Sequence, residues 1–285
     1  MPEFPCVVYL NGKWLLHQEA RISVFDRGFM LGDGTYEVIS FYEGRFFHFE
    51  DHIGRLQYSL SQIDLAFDTS VLEKLCEEAV NRNALTDSDG AVYIQITRGI
   101  APRQHAFPAS VRPTCLIYAI PVALGDFEKR QVTVKTVPDS RWSRSDIKGI
   151  SLLPNVLVSE QARKEGVFEY IFVRKGMITE GTHTNIFFVK NNILLTHPAD
   201  HHVLSGIGRR VVLDLCKELD ISFEEKPVSL SELENVQEAF LTGTTTQITS
   251  VIKMDDIIFN EGKTGTITRK LQQGLIGLTR PGYFV

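Results

Sequence analysis

The segment Pro121-Val122-Ala123-Leu124-Gly125 does most to limit what this chain can fold into, because strand and helix signals occur together on each side of it. Before it, Val7-Val8-Tyr9-Leu10 runs into Asn11-Gly12, a pair suited to a two-residue hairpin turn. The stretch 36–42 is rich in β-branched and aromatic residues, and Glu43-Gly44 turns it into Arg45-Phe46-Phe47. Ile53, Leu56, Leu60 and Ile63 recur at helical spacing, and Val71, Leu72, Leu75, Cys76 and Ala79 share one face of a second helix. Strand signals at 91–97 and 114–120 complete this half.

After the segment, Val132, Val134 and Thr136 alternate with polar residues as a half-buried strand does. Helical patterns follow at 155–164, 206–218 and 266–275, with strands at 170–173 and 185–189. Ser229-Leu230-Ser231-Glu232 has capping-box spacing. Mixed elements in both halves predict an α+β protein with an N-terminal domain at 1–120, a linker at 121–125 and a C-terminal domain at 126–285.

Composition removes several function classes. A net charge of −5 argues against a general phosphate-backbone binder, so no nucleic-acid partner is expected. Met1-Pro2-Glu3-Phe4-Pro5 lacks the basic start and apolar core of a secretion signal. The longest apolar stretch, 115–124, is interrupted by Pro121 and is too short to cross a bilayer, so no membrane partner is expected either. Cys6, Cys76, Cys115 and Cys216 show no C-x-x-C spacing and read as buried reduced thiols of a cytoplasmic protein. His197 and His201 are four apart, but Pro198 and Asp200 make that stretch a turn, so no metal site is expected. No G-x-S-x-G, Walker A or paired zinc motif is present.

Three segments carry the chemistry. They are Arg27-Gly28-Phe29-Met30-Leu31-Gly32-Asp33-Gly34-Thr35-Tyr36-Glu37, then Lys148 with Leu152-Leu153-Pro154-Asn155 behind it, then Thr179-Glu180-Gly181 with Asn185. In that order and spacing the chain resembles the fold-type IV pyridoxal 5′-phosphate (PLP) enzymes over essentially its whole length. That family holds branched-chain aminotransferases, D-amino acid aminotransferases and aminodeoxychorismate lyase. Thr97-Arg98-Gly99 with Pro102-Arg103-Gln104-His105-Ala106-Phe107-Pro108, and Asp139-Ser140-Arg141-Trp142 with Asp146-Ile147-Lys148, resemble the D-amino acid aminotransferase branch.

The resemblance implies a smaller N-terminal α/β domain and a larger C-terminal domain with a barrel-like sheet that carries the PLP lysine. It implies transamination between a D-amino acid and a 2-oxo acid in two half-reactions, with D-alanine and 2-oxoglutarate as the expected pair, in a homodimer. A PLP enzyme must supply an amine, a partner for the pyridine nitrogen, a phosphate cradle and a grip on the substrate. By resemblance these are Lys148; Glu180; a cradle of Arg55, Gly206, Ile207, Gly208, Thr244 and Thr245; and Tyr36 with Arg103 and His105 for the α-carboxylate. Leu204 is expected on the ring face away from Lys148. Arginine suits a carboxylate because its planar fork donates twice, and a helix start at Gly206 suits a dianion. Two positions depart from the family pattern: Gly208 stands where threonine or serine is common, and Gly243 where serine is frequent.

Overall fold

The computed structural model describes residues 4–110 and 112–280. Two units form, Met1–Ala123 with Ile147–Leu152, and Leu124–Asp146 with Leu153–Val285. The boundary falls inside the Pro121–Gly125 stretch, but Lys148, expected on the second domain, is held in the first unit.

In the first unit, β1 (Val7–Leu10) and β2 (Lys13–Leu16) form the hairpin that Asn11-Gly12 signals. Both turn residues have positive φ (49° and 89°), the geometry that asparagine and glycine tolerate. A short helix α1 (Arg27–Leu31) precedes β3 (Gly34–Tyr42) and β4 (Arg45–Phe46). Helices α2 (Phe49–Gln62) and α3 (Leu72–Arg82) then lead to β5 (Gly90–Thr97) and β6 (Thr114–Pro121). The sheet is antiparallel throughout, in the order β2-β1-β6-β5-β3-β4.

Strand alternation gives this sheet two characters. Ile39, Phe41, Ile94, Ile96 and Ile117 face the apolar stripes of α2 and α3, where Ile53, Leu56, Leu60, Leu72 and Cys76 are buried. Burial of each such side chain contributes about 1.5–3 kcal/mol. Tyr36, Tyr93 and Tyr118 alternate with those core residues and stack across β3, β5 and β6, with centroids 5.7 and 5.0 Å apart.

The second unit contains β7 (Gln131–Pro138), α4 (Leu153–Glu165), β8 (Glu169–Arg174), β9 (Met177–Gly181), β10 (Asn185–Lys190) and β11 (Ile193–Thr196). Then come α5 (Ile207–Glu218), β12 (Phe223–Glu225), β13 (Glu238–Gly243), β14 (Gln247–Met254), β15 (Ile257–Ile258) and α6 (Thr266–Thr279). The strand order is β12-β11-β10-β13-β14-β7-β8-β9, with β15 beside β14. A tight turn, closed by Gly181 N–H donating to Thr184 C=O at 2.8 Å, runs straight from β9 into β10. Four strands stand between those two in the sheet, so the sheet must curl back on itself, and it is barrel-like. Val134, Ile171, Ile186, Phe188, Leu241 and Val251 lie in its core.

The predicted helices and strands are present, with the last helix running on to Thr279. Strands β9 and β11 to β15 are additional: β12 and β15 have three and two residues, and the Thr179-Glu180-Gly181 end of β9 has turn composition. The capping box at Ser229 forms, on a 3-10 helix. Cys76, Cys115 and Cys216 are buried, whereas Cys6 is exposed, just before β1. Among the described residues no helix is long and apolar enough to cross a membrane.

Candidate functional site

Lys148 is fixed through its backbone. Its N–H donates to Ser59 Oγ on α2 at 3.1 Å, and its C=O accepts from Tyr36 N–H on β3 at 3.0 Å. Lys148 Nζ lies 4.3 Å from the Tyr36 ring centroid, a distance at which the ring face attracts an ammonium. Two of the sequence-derived residues therefore meet in the first unit.

Arg55 lies on α2 with its guanidinium against a carboxylate. Its Nε and Nη2 donate to Glu37 Oε1 and Oε2 at 2.7 and 2.9 Å, and His52 Nδ1–H donates to Oε2 at 2.9 Å. His52, Arg55 and Ser59 share one helix face by their spacing, so one polar stripe serves both Glu37 and Lys148. Burial alone would raise the Glu37 carboxyl, but Arg55 and His52 outweigh it and hold it well below the usual carboxylate range. Burial lowers the His52 pKa against the opposing pull of Glu37. Glu37 closes the quoted Arg27–Glu37 segment but has no expected role from the sequence, because its partners are 15 and 18 residues away.

In the second unit, Glu180 is buried at the end of β9. Arg141 Nη1 donates to its Oε1 at 2.6 Å; Leu204 N–H and Asn185 Nδ2 donate to Oε2 at 3.0 and 3.2 Å. Asp139 grips the same Arg141 at 3.0 and 3.1 Å, and the guanidinium lies 4.2 Å from the Phe172 ring centroid. Burial pushes the Glu180 carboxyl above its usual range, against the pull of Arg141. Its ionisation therefore depends on which cations stand beside it. Arg141 belongs to a quoted motif but had no expected role; the Asp139-x-Arg141 pair was its only local signal.

Helix α5 starts at Gly206 with no side-chain cap and no acidic residue in its first turn, so backbone N–H groups at Ile207 and Gly208 suit an anion. A Cβ on Gly206 would stand 1.9 Å from Asn185 Oδ1, and on Gly208 2.5 Å from Thr242 Oγ1. A Cβ on Gly243 would meet nothing closer than 3.5 Å. The missing hydroxyl at 208 is thus matched by a neighbour that fills its space, while serine would fit at 243. Thr244 and Thr245 form the half-buried turn between β13 and β14. An amine, a buried carboxylate, an uncapped helix start, an arginine and two hydroxyls match the aldehyde, ring nitrogen and phosphate of PLP in kind.

Arg103 and His105 are exposed on the loop between β5 and β6. Among the described residues, no hydrogen bond or ion pair joins either side chain to Tyr36.

Residues 34–254 match the family model of amino-transferase class IV. The chain belongs to the class IV aminotransferases. Pyridoxal phosphate is the cofactor of that family, and the residues present fit it. The chain is 38% identical over 271 residues to the D-alanine aminotransferase of Bacillus licheniformis, covering 94% of this chain and 95% of that protein. The same figures hold for the D-alanine aminotransferase of Staphylococcus aureus strain N315. Among solved structures, the branched-chain amino acid aminotransferase of Escherichia coli is 27% identical, with a TM-score of 0.88 over 97% of this chain and 95% of that one.

Proposed function

We propose that this class IV aminotransferase transfers the amino group of D-amino acids to 2-oxo acids, with D-alanine and 2-oxoglutarate as its pair, giving pyruvate and D-glutamate. The observation that carries this reading is the 38% identity to D-alanine aminotransferases across nearly the whole chain. The E. coli neighbour shares the fold at lower identity.

Bound PLP supplies an electron sink that acidifies the substrate Cα–H. Lys148 would hold the cofactor aldehyde and move the proton at Cα. The Glu180 carboxylate would hold the ring nitrogen, and Leu204 would contact the ring. Arg55, the N–H groups of Ile207 and Gly208 after Gly206, and the Thr244 and Thr245 hydroxyls hold the phosphate. Tyr36, Arg103 and His105 grip the α-carboxylate. With the Cα–H turned to Lys148, the side on which the carboxylate is held decides whether D or L substrate reacts.

Arg103 and His105 act on a second copy of the chain in this reading, and the enzyme is a homodimer. Supporting this, Ile22, Val24, Phe25, Phe29, Ile100 and Phe107 are exposed, and the segments that carry them are joined by Ala101 N–H donating to Phe25 C=O at 3.2 Å. An apolar patch of this kind marks a protein interface. A cytoplasmic location completes the reading and suits four unbridged cysteines.

Pyruvate release is measured from D-alanine and L-alanine side by side with 2-oxoglutarate, with sedimentation of the active enzyme. D-alanine is the preferred substrate and the mass is that of a dimer. Preference for L-alanine overturns the specificity, and a fully active monomer overturns the assembly.

A further inference from the structure

The loop between β5 and β6 spans sixteen residues, 98–113, with no helix or strand among its described residues, a length at which loops are usually functional. Loops normally run over the surface, yet two arginines are buried at this one, each 2% exposed: Arg27 on α1 and Arg98, the first residue of the loop. Arg27 Nη1 donates to Gln104 C=O at 2.7 Å and Ala106 C=O at 3.4 Å, while Nη2 donates to His105 C=O at 3.4 Å. Three consecutive carbonyls of the loop are thus held by one guanidinium. The Arg98 guanidinium lies 3.6 Å from the Phe107 ring centroid and donates to Ile63 C=O at 2.6 Å and Asp64 C=O at 3.0 Å. Between the two arginines sits one carboxylate. Asp33 Oδ2 accepts from Arg27 Nε at 2.7 Å and from Arg98 Nε at 2.8 Å.

We propose that Asp33 is a positioning residue for the substrate carboxylate. Acting through Arg27 and Arg98, it fixes the backbone on which Arg103 and His105 are presented. The inference rests on the reading of Arg103 and His105 as the carboxylate grip.

The electrostatics point the same way. Two buried guanidiniums share one carboxylate, and the surplus positive charge is offset by five backbone carbonyls, three of them in the loop. Letting the loop swing away would break the three charge-assisted hydrogen bonds from Arg27 and the Arg98–Phe107 contact together. These contacts hold residues 104–107 of the loop against the cluster. Arg103 and His105 keep exposed side chains on a backbone whose carbonyls are tied down. That arrangement pre-organises a grip for a ligand arriving from outside the chain.

The test is steady-state kinetics on the PLP-loaded enzyme, with Arg103→Ala as the reference variant. Arg27→Lys keeps the charge but cannot fork across three carbonyls. Phe107→Leu removes the ring over Arg98 and Phe107→Tyr restores it; because Phe107 lies in the proposed dimer patch, sedimentation confirms that each variant keeps the assembly state of the wild type. Arg27→Lys and Phe107→Leu are expected to raise KM for both D-alanine and 2-oxoglutarate by about tenfold, because small misplacement of an orienting group is costly. Neither shifts the visible PLP spectrum, kcat falls much less than KM rises, and Phe107→Tyr returns KM to the wild-type value. Asp33→Asn shows the same split if it folds; if it does not, the other two variants decide. If Arg103→Ala leaves KM unchanged, the grip itself is wrongly placed and the reading beneath this inference falls. If Arg103→Ala raises KM while Arg27→Lys and Phe107→Leu do not, the positioning role of Asp33 is overturned and the grip stands.

Discussion

Glu37→Gln tests whether the buried Glu37 carboxylate is a support for Arg55. Wild-type Glu37 accepts three hydrogen bonds at 2.7–2.9 Å from Arg55 and His52 with no exposure to water. Glutamine offers one acceptor oxygen, and its NH2 group must face one of those donors. A charge-assisted bond is worth about 1.5–3 kcal/mol, and breaking a buried pair from one side costs roughly 3–5 kcal/mol. We expect a loss near the lower figure, about 3 kcal/mol, which lowers Tm by roughly 6–12 °C in a domain of this size. Arg55 also loses the carboxylate that orients it, so PLP affinity should fall about tenfold, equivalent to 1.4 kcal/mol.

The pH dependence has a definite sign. The Glu37 pKa is lowered on folding, so its stabilisation is present above the unfolded carboxylate pKa and is lost as pH falls through the folded value. The His52 pKa is also lowered on folding; the unfolded chain then binds the extra proton, and stability drops as pH falls below the ordinary histidine value. Glu37→Gln removes the first loss and, by taking away the carboxylate that favours His52 protonation, deepens the second. Calorimetry of the cofactor-stripped protein from pH 8 to about pH 2 follows both losses, because the Glu37 loss lies below the ordinary carboxylate pKa, and PLP titration followed by fluorescence gives the affinity. An unchanged Tm together with unchanged PLP affinity refutes the support role.

Lys148→Ala should abolish the visible cofactor band while PLP still binds through its phosphate; borohydride reduction and peptide mapping of the wild type must then label Lys148 and no other lysine. Glu180→Gln should lower kcat by roughly 10–150-fold, the equivalent of one charge-assisted hydrogen bond, with little change in PLP affinity, and unimpaired turnover excludes the role. Gly208→Thr places a Cβ 2.5 Å from Thr242 Oγ1 and should cost about 1–3 kcal/mol of stability. Adding Thr242→Ala should recover most of it, and strict additivity of the two changes would show that the contact is not the cause.

The first unit was largely legible because its signals are local. Asn11-Gly12 specifies a hairpin, and the stripes of α2 and α3 match one apolar sheet face. The second unit was less so. Residues 177–181 include threonine, glutamate and glycine that read as a turn, yet they form an edge strand beside β8. Their pairing depends on strands far away in sequence, and strand propensity gives way to such context. Cys6 follows a similar logic: thiols tend to be buried, but this one precedes the first strand and has no sheet over it.

At the site, the residues proposed to touch cofactor or substrate carry a role from the motifs, while the residues that hold them gain one only from contacts made in the fold. Glu180 shows why. Its strand ends in a turn held by Glu169, whose buried carboxylate accepts from Thr182 Oγ1, His183 N–H and Thr184 Oγ1 at 2.7, 2.8 and 2.6 Å. Asn185, just past that turn, donates to both Glu180 Oε2 and Leu204 C=O. One buried carboxylate thus shapes the hairpin that aims another, eleven residues along the chain. A lone glutamate in an apolar strand such as Glu169-Tyr170-Ile171-Phe172-Val173 carries no motif, and burying it is unfavourable unless every oxygen finds a donor. The donors here arrive only after the chain reverses at residues 181–184, so the sequence presents a puzzle at Glu169 whose answer exists only in three dimensions. In the first unit Glu37, fully buried, and Asp33, half-buried, likewise find their donors far along the chain, Glu37 in Arg55 and His52, and Asp33 in Arg98.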